Sequence, residues 1–345
     1  MNFKKEKRIL FLAALSALAA AIVLALAVGI AFSRRGAVIV DDNVYEGKSK
    51  RAERKNFLLL GSDRVSGLSD VMMLVSLDAD AGELNVLQIP RDTYAEYTAS
   101  GYRKINGALG ALGAGGVCEF LERSLCVDID GYAVFDLDVF ADVVDMIGGV
   151  EIDIPFDMEY RDPYQDLYIS IPAGKQTLSG ERAEQFVRYR FGYVRGDLGR
   201  MDAQKLFMSA FFKKVSEDLS RAELLRIATS LISKINTNIS LGDGISLAAN
   251  ALSIDAERVN MLTLSGEDIR SDISGAWFYV ISKSAVREQV ATYMGADINA
   301  DAFDAGGAFL NEASDKFAGI YNTYLPYSVS NVGELNTNGI DIEKR

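Results

Sequence analysis

At 345 residues the chain is long enough for one large domain or two modest ones beside a membrane segment. Its formal net charge of −12, from 36 Lys and Arg against 48 Asp and Glu, repels a phosphate backbone at long range and argues against nucleic acid as a partner. Histidine is absent altogether, which removes the commonest zinc ligand and the commonest neutral-pH base.

Residues 9–32, ILFLAALSALAAAIVLALAVGIAF, carry no charge. As a helix they would measure roughly 36 Å, enough to cross a ~30 Å hydrocarbon core. A secretory signal peptide is the competing reading, but its apolar region is usually ~7–15 residues, so the length favours an uncleaved anchor. Lys4, Lys5, Lys7 and Arg8 precede the segment, which predicts a cytoplasmic tail over 1–8 and an N-in, C-out single span in the cell membrane. A polar stalk over 33–55 follows.

Asn56–Leu60, Val71–Leu77 and Leu84–Ile89 are compact apolar runs that predict three strands, the last two as a hairpin. Charge falls at their ends. Asp63 and Asp70 flank the first loop, and Arg91 and Asp92 follow Pro90, at the kind of strand edge where open α/β sheets place ligands. Next come Lys104, a helix over Ala108–Leu125, a strand over Val127–Phe135, a helix over Leu137–Ile147 ended by Gly148 and Gly149, and a short strand over Val150–Ile154. Cys118 would stand about 12 Å from Cys126 if one helix joins them, beyond disulfide reach, which favours buried free thiols. Helices are predicted over Ser179–Val187, Met201–Leu219, Ala222–Ile235, Gly244–Leu252 and Ile281–Met294, with Trp277, Phe278 and Tyr279 as core.

The most informative stretch is Phe186–Gln204, FVRYRFGYVRGDLGRMDAQ, which gathers Arg188, Arg190, Arg195 and Arg200 in an acidic chain. Guanidinium forks pair bidentately with phosphate oxygens, so the cluster points to a polyanion in one pocket. Arg188 and Arg190 are two apart: beyond a helix ending near Val187 both can face a ligand, whereas on a helix they diverge by about 200°. Asp63 and Asp70 are a carboxylate pair able to hold a hard cation such as Mg²⁺ when substrate phosphates complete its shell. Turn capping and strand-end solvation would use the same two residues. Together with Arg91 and Lys104 they would offset the charge of a diphosphate, the main task in phosphoryl transfer.

The ordered motifs NFLLLGSD (Asn56–Asp63), SDVMMLVSLD (Ser69–Asp78), IPRDTY (Ile89–Tyr94), KIN (Lys104–Asn106), IGGVEIDIPFDM (Ile147–Met158), and VRYR with GDLGR (Val187–Arg200) closely resemble the LytR-CpsA-Psr family of membrane-anchored cell-wall glycopolymer ligases. The resemblance runs from about Asn56 to Phe211. It implies a single α/β domain with a mixed central sheet flanked by helices on both sides, over 56–270, with 271–345 as a C-terminal extension. It implies an extracellular Mg²⁺-dependent phosphotransferase, Mn²⁺ being a possible substitute, that moves a glycan from a polyprenyl-pyrophosphate carrier to peptidoglycan through a phosphodiester. By the same resemblance Asp63 and Asp70 hold the metal, and Arg91, Lys104, Arg188, Arg190, Arg200 and Gln204 bind the pyrophosphate. Asp92, with Arg91, Arg188 and Arg190 among the catalytic set, orients the arginines or helps deprotonate the acceptor hydroxyl.

An apolar channel for the lipid would draw on Phe140, Val144, Ile147, Leu206, Phe207 and Ala210, side chains that serve equally as ordinary core. Two positions depart from the family pattern: Leu68 and Ala203 stand where arginine is usual, leaving Arg64 or Arg195 to compensate. That departure keeps two alternatives open, a polyprenyl-pyrophosphate hydrolase and a noncatalytic envelope scaffold or regulator that binds such lipids.

Overall fold

A computed structural model of the chain describes residues 54–62, 67–97, 103–162, 167–194, 197–220, 234–240, 256–271, 275–296 and 323–331, with isolated positions between 223 and 254. The expected anchor over 9–32 lies outside the described residues, as do Gly244–Leu252 and most of Ala222–Ile235. Among the described residues no helix is long and apolar enough to cross a membrane.

The first three strands are β1 (Arg54–Ser62), which starts inside the expected stalk, β2 (Ser69–Asp78) and β3 (Glu83–Ile89). They pair antiparallel in sequence order. The β2–β3 hairpin turns at Gly82, whose φ of +65° lies in the left-handed region that a Cβ disfavours. Phe57, Leu59, Met73, Val75 and Val86 enter one apolar cluster, while Leu58, Leu60, Met72, Leu74 and Leu87 enter the other. The strands are mostly apolar on both faces because both faces of the sheet are covered, with Ser76, Asn85 and Gln88 as buried polar exceptions.

After β3 come the two-residue strands β4 (Tyr94–Ala95) and β5 (Arg103–Lys104), then α1 (Ala108–Leu125), β6 (Gly131–Phe135), α2 (Leu137–Met146) and β7 (Val150–Ile154). A hairpin of β8 (Met158–Asp162) and β9 (Leu167–Ile171) leads to β10 (Gly174–Leu178), which pairs with β7. Then follow α3 (Gly180–Arg188), α4 (Asp197–Asp218), β11 (Asn236–Thr237) and β12 (Val259–Thr263). The hairpin β13 (Gly266–Arg270) and β14 (Trp277–Ile281), α5 (Lys283–Tyr293) and β15 (Val329–Asn331) complete the described chain.

The central sheet has the order β11-β6-β1-β2-β3-β12-β15. It is mixed: β1 with β6 and β3 with β12 run parallel, the other neighbours antiparallel. One face is covered by α1 and α5 through Phe120, Leu121, Val286 and Val290. The other is covered by α2, α3 and α4 through Phe140, Val144, Phe186, Phe207 and Phe211. This is the expected single α/β domain, and each large apolar side chain so buried contributes about 1.5–3 kcal/mol.

Local chemistry sets the helix ends. Asp136 caps α2 by accepting from the Val139 amide at 3.1 Å. Ser179 caps α3, where Asp145 Oδ1 also accepts from the Gly180 amide at 2.7 Å.

Four expectations need correction. The strand expected over Val127–Phe135 is confined to its last five residues: the chain turns at Cys126, and Asp130 accepts from the Asn56 amide at 2.8 Å before the strand begins. Ile281 belongs to β14 and not to the last helix, which starts at Lys283. Trp277 is not core: it opens β14 on a two-stranded hairpin and is 56% exposed, while Phe278 and Tyr279 are buried. Both cysteines are free, but only Cys118 is fully buried.

Candidate active site at the edge of the sheet

The strand registers pair Ser62 with Ser69, Met72 with Ile89, and Gln88 with Thr263. The C-terminal ends of β1, β3 and β12 and the N-terminal end of β2 therefore share one edge. Asp70 is the second residue of β2, and Arg91 follows β3 directly after Pro90, so the antiparallel register brings them together. Arg91 Nη1 donates to Asp70 Oδ1 at 3.1 Å, with both side chains only 2% exposed.

The loop carrying Arg91 is held from three sides. The Thr93 amide donates to the Pro90 carbonyl at 3.0 Å, the Asn106 amide to the Arg91 carbonyl at 3.2 Å, and the Tyr279 amide to the Asp92 carbonyl at 2.8 Å. Asp92 lies beside Arg91, 3.8 Å from Nε, and pairs with Lys104 Nζ at 2.9 Å. Lys104 also stands over the Phe278 ring, 5.9 Å from its centroid, a cation–π contact that fixes its approach.

The first turns of α4 supply the facing wall. Arg200 and Gln204 are four apart and so share one side of the helix. Both are buried, and with Asp70, Gln88 and Arg91 they line one small cavity of about 20 Å³. Gln204 Nε2 donates to the Val187 carbonyl at 3.4 Å, which ties α4 to the end of α3. Gly199 makes this closeness possible: a Cβ there would lie 2.6 Å from Tyr193 Cβ, so only glycine lets the 189–194 loop lie against α4. Burial raises the Tyr193 hydroxyl far above its ordinary pKa, although the nearby Arg200 charge opposes the shift.

Arg188 and Arg190 sit one helix end away. Arg188 is the last residue of α3, and Tyr189 is already extended, with φ −61° and ψ 130°. Arg188 Nη1 donates to Glu184 Oε1 at 2.5 Å, one turn back on the same helix. Burial raises the Glu184 pKa in spite of that partner. Arg190 lies beyond the helix and is partly buried. Neither arginine lines the small cavity with Arg91 and Arg200.

Asp63, Arg64 and Arg195 lie outside the described residues. Among the described residues no group of three or more Cys, Asp or Glu side chains is placed to hold a metal ion, so Asp70 is the carboxylate that the described cavity offers. Ala203 is fully buried in the apolar cluster with Leu206 and Phe207 and is not among the residues that line the charged cavity. Leu68 is partly exposed at the mouth of β2. Phe140, Val144, Ile147, Leu206 and Phe207 are buried together on one face of the sheet, with Ala210 packed against them and Phe140 and Phe207 centroids 6.0 Å apart.

The sequence reading missed Gln88. It shares the strand face of Leu84 and Val86, which are core, and is itself 3% exposed. An amide that breaks an apolar alternation on a doubly covered strand was the available signal.

The profile of the LytR_cpsA_psr family matches residues 31–294. The chain is 30% identical over 217 residues to the polyisoprenyl-teichoic acid–peptidoglycan teichoic acid transferase TagV of Bacillus subtilis, covering 62% of this chain and 56% of that one, so it spans little more than half of that relative's length. It is 29% identical over 247 residues to the corresponding transferase TagU of Bacillus cereus, covering 70% of this chain and 79% of that one. The crystal structure of B. subtilis TagV superposes with a TM-score of 0.61 at 27% identity, covering 72% of this chain and all of that one. With the family profile spanning most of its length and the fold shared with TagV, this chain belongs to the LytR-CpsA-Psr family.

Proposed function

We propose that the protein is a membrane-anchored phosphotransferase that moves a glycopolymer from a polyprenyl-pyrophosphate carrier to peptidoglycan at the outer face of the membrane. The observation that carries this reading is the convergence of Arg91, Arg200 and Gln204 with Asp70 in one buried cavity at the sheet edge. The matching activity named for TagV and TagU supports it. So do the lysine-rich start and the uncharged 9–32 segment, which suit an anchor with the domain outside.

In this reading the acceptor hydroxyl oxygen attacks the phosphorus that bears the glycan. The bridging P–O bond to the lipid phosphate breaks, leaving polyprenyl phosphate and a new phosphodiester. Arg91 and Arg200 bind non-bridging oxygens of the diphosphate and stabilise the charge that accumulates on the departing phosphate. Arg188 and Arg190 extend the grip once a ligand competes with Glu184 for Arg188. Asp92, held by Lys104, lies beside Arg91 and accepts the acceptor proton or fixes the guanidinium orientation. Asp70, an oxygen donor at the cavity, fits a hard cation and with Asp63 would hold Mg²⁺ or Mn²⁺, which supplies further charge neutralisation at the diphosphate.

A cavity of about 20 Å³ suits one water, so a diphosphate reaches the arginines only when the side chains lining it move apart. Mass analysis of products from the full chain, pyrophosphate-lipid glycan and a peptidoglycan oligomer tests the proposal. A covalent glycan–peptidoglycan adduct supports it. Free phosphorylated glycan would make the protein a hydrolase, and binding without turnover a scaffold.

A further inference from the structure

A second cavity opens beside the first. It has a volume of about 130 Å³ and is lined by Asp202, Lys205, Ser265, Tyr279, Tyr327 and Ser328, among others. The strand order makes it a neighbour of the arginine cavity: β12 lies next to β3, about 4.8 Å away, and Thr263 pairs with Gln88. The walls are hydrogen-bonded to each other, the Leu264 amide to the Gln88 carbonyl and the Tyr279 amide to the Asp92 carbonyl, each at 2.8 Å. α4 serves both, presenting Arg200 and Gln204 to one cavity and Asp202 and Lys205 to the other.

The chemistry of the second cavity differs from that of the first. Lys205 is 4% exposed, and among the described residues its ammonium donates to Asp202 Oδ1 alone, at 3.2 Å. An ammonium carries three N–H groups, and holding one in a nearly closed wall is costly unless polar partners meet the others. The ion pair is neutral overall, so the cavity exerts little pull on an anion. Around it stand hydroxyl groups that donate and accept. Ser265 Oγ donates to the Leu325 carbonyl at 2.8 Å, leaving its oxygen able to accept. The Tyr279 hydroxyl donates to the Leu264 carbonyl at 2.6 Å. Tyr327 adds a ring whose hydroxyl reaches Glu288 at 3.3 Å. Mixed donors and acceptors beside aromatic carbon suit a neutral polyhydroxylated ring.

We infer that this cavity is the acceptor subsite: it takes an uncharged N-acetylhexosamine unit of a glycan strand and presents one of its hydroxyls to the neighbouring arginine cavity. The inference rests on the phosphotransferase reading for its role but not for its binding chemistry. A transferase must hold its second substrate beside the first, and a cavity sharing α4 and the β3 edge with the diphosphate site supplies that position.

The test titrates the full chain in detergent with a β-1,4-linked N-acetylglucosamine tetramer and, separately, with inorganic pyrophosphate, by calorimetry. Ser328→Trp fills the exposed rim without touching the core, and Lys205→Met removes the buried ammonium, with unfolding curves recorded for both. The expected result is tetramer binding by the native chain, weakened about tenfold or more in Ser328→Trp and in folded Lys205→Met, with pyrophosphate affinity unchanged. Lack of tetramer binding by the native chain would overturn the inference. So would unchanged tetramer affinity in both variants, or a parallel fall in pyrophosphate affinity, which would make the cavity part of the phosphate site. Failure of the native chain to bind pyrophosphate strikes the proposed function instead, and leaves the tetramer result to stand by itself.

Discussion

Arg91 and Asp70 form an ion pair from which water is almost entirely excluded, 3.1 Å apart with both side chains 2% exposed. Removing one partner takes from a buried charge its nearest counter-charge, at a cost of up to about 3–5 kcal/mol, whereas replacing both by apolar residues is often close to neutral. Arg91→Met and Asp70→Leu should each lower the urea-unfolding free energy, Asp70→Leu by less because Asp92 remains 3.8 Å from the guanidinium. The double variant should recover most of the loss. Equal losses that simply add would show that the two residues are not coupled.

Gly199 lies in the first turn of α4, where alanine would ordinarily gain about 1 kcal/mol of helix propensity. Here the added Cβ would meet Tyr193 Cβ at 2.6 Å. The overlap outweighs the propensity gain, since overpacking costs about 1–3 kcal/mol. Gly199→Ala should therefore lower the unfolding midpoint. A raised midpoint would mean that the 189–194 loop does not lie against the helix.

Burial pushes the Cys118 thiol up to about 12, with the Glu122 and Glu119 charges adding to the effect. Burial also raises Cys126, which is only partly covered. Thiolate, not thiol, is the reactive form, and at pH 8 a pKa of about 12 leaves on the order of one thiolate in ten thousand. Alkylation at pH 8 should label Cys126 slowly and Cys118 essentially only after unfolding. Rapid labelling of Cys118 in the folded protein would contradict its position in α1.

Glu184 has a folded pKa raised above its ordinary 4.5 by burial, opposed by Arg188. The native state therefore holds this proton more tightly than the unfolded chain does. Its contribution to stability is complete below pH 4.5 and is lost as pH rises through the folded value. Glu184→Gln should flatten the stability profile just above pH 4.5, as measured by urea unfolding between about pH 4 and 7. An unchanged profile would assign the slope to other groups.

The parts of the fold legible in the sequence are those whose signal is local. β1, β2 and β3 declare themselves as dense, mostly apolar runs, and α2 and α4 by apolar side chains at helical spacing. β13 and β15 do not. GEDIR (β13) has mixed polarity and pairs in a surface hairpin, while VSN (β15) is three residues paired with β12 from across the chain. The site shows the same division. Arg91 and Asp70 are legible through their places at strand mouths and Arg200 through the arginine cluster, whereas Gln204 is reached only through the family resemblance. The partner of Arg188 was not, because α3 runs one residue beyond the expected end at Val187 and so places Arg188 one turn above Glu184. Lys205 also escaped notice, since its cavity is closed by Pro326, Tyr327 and Ser328, more than a hundred residues away.

The measurement that bears most directly on the phosphotransferase reading is the transfer rate of Arg200→Lys, with urea unfolding recorded alongside. Lysine keeps the positive charge but loses the bidentate fork that matches phosphate. If Arg200 grips the diphosphate as it departs, the rate should fall by about 30- to 1,000-fold, equivalent to about 2–4 kcal/mol of transition-state stabilisation, in a protein that remains folded. A folded Arg200→Lys variant that transfers glycan at nearly the native rate would contradict the phosphate-gripping role of the α4 arginine and the site built around it.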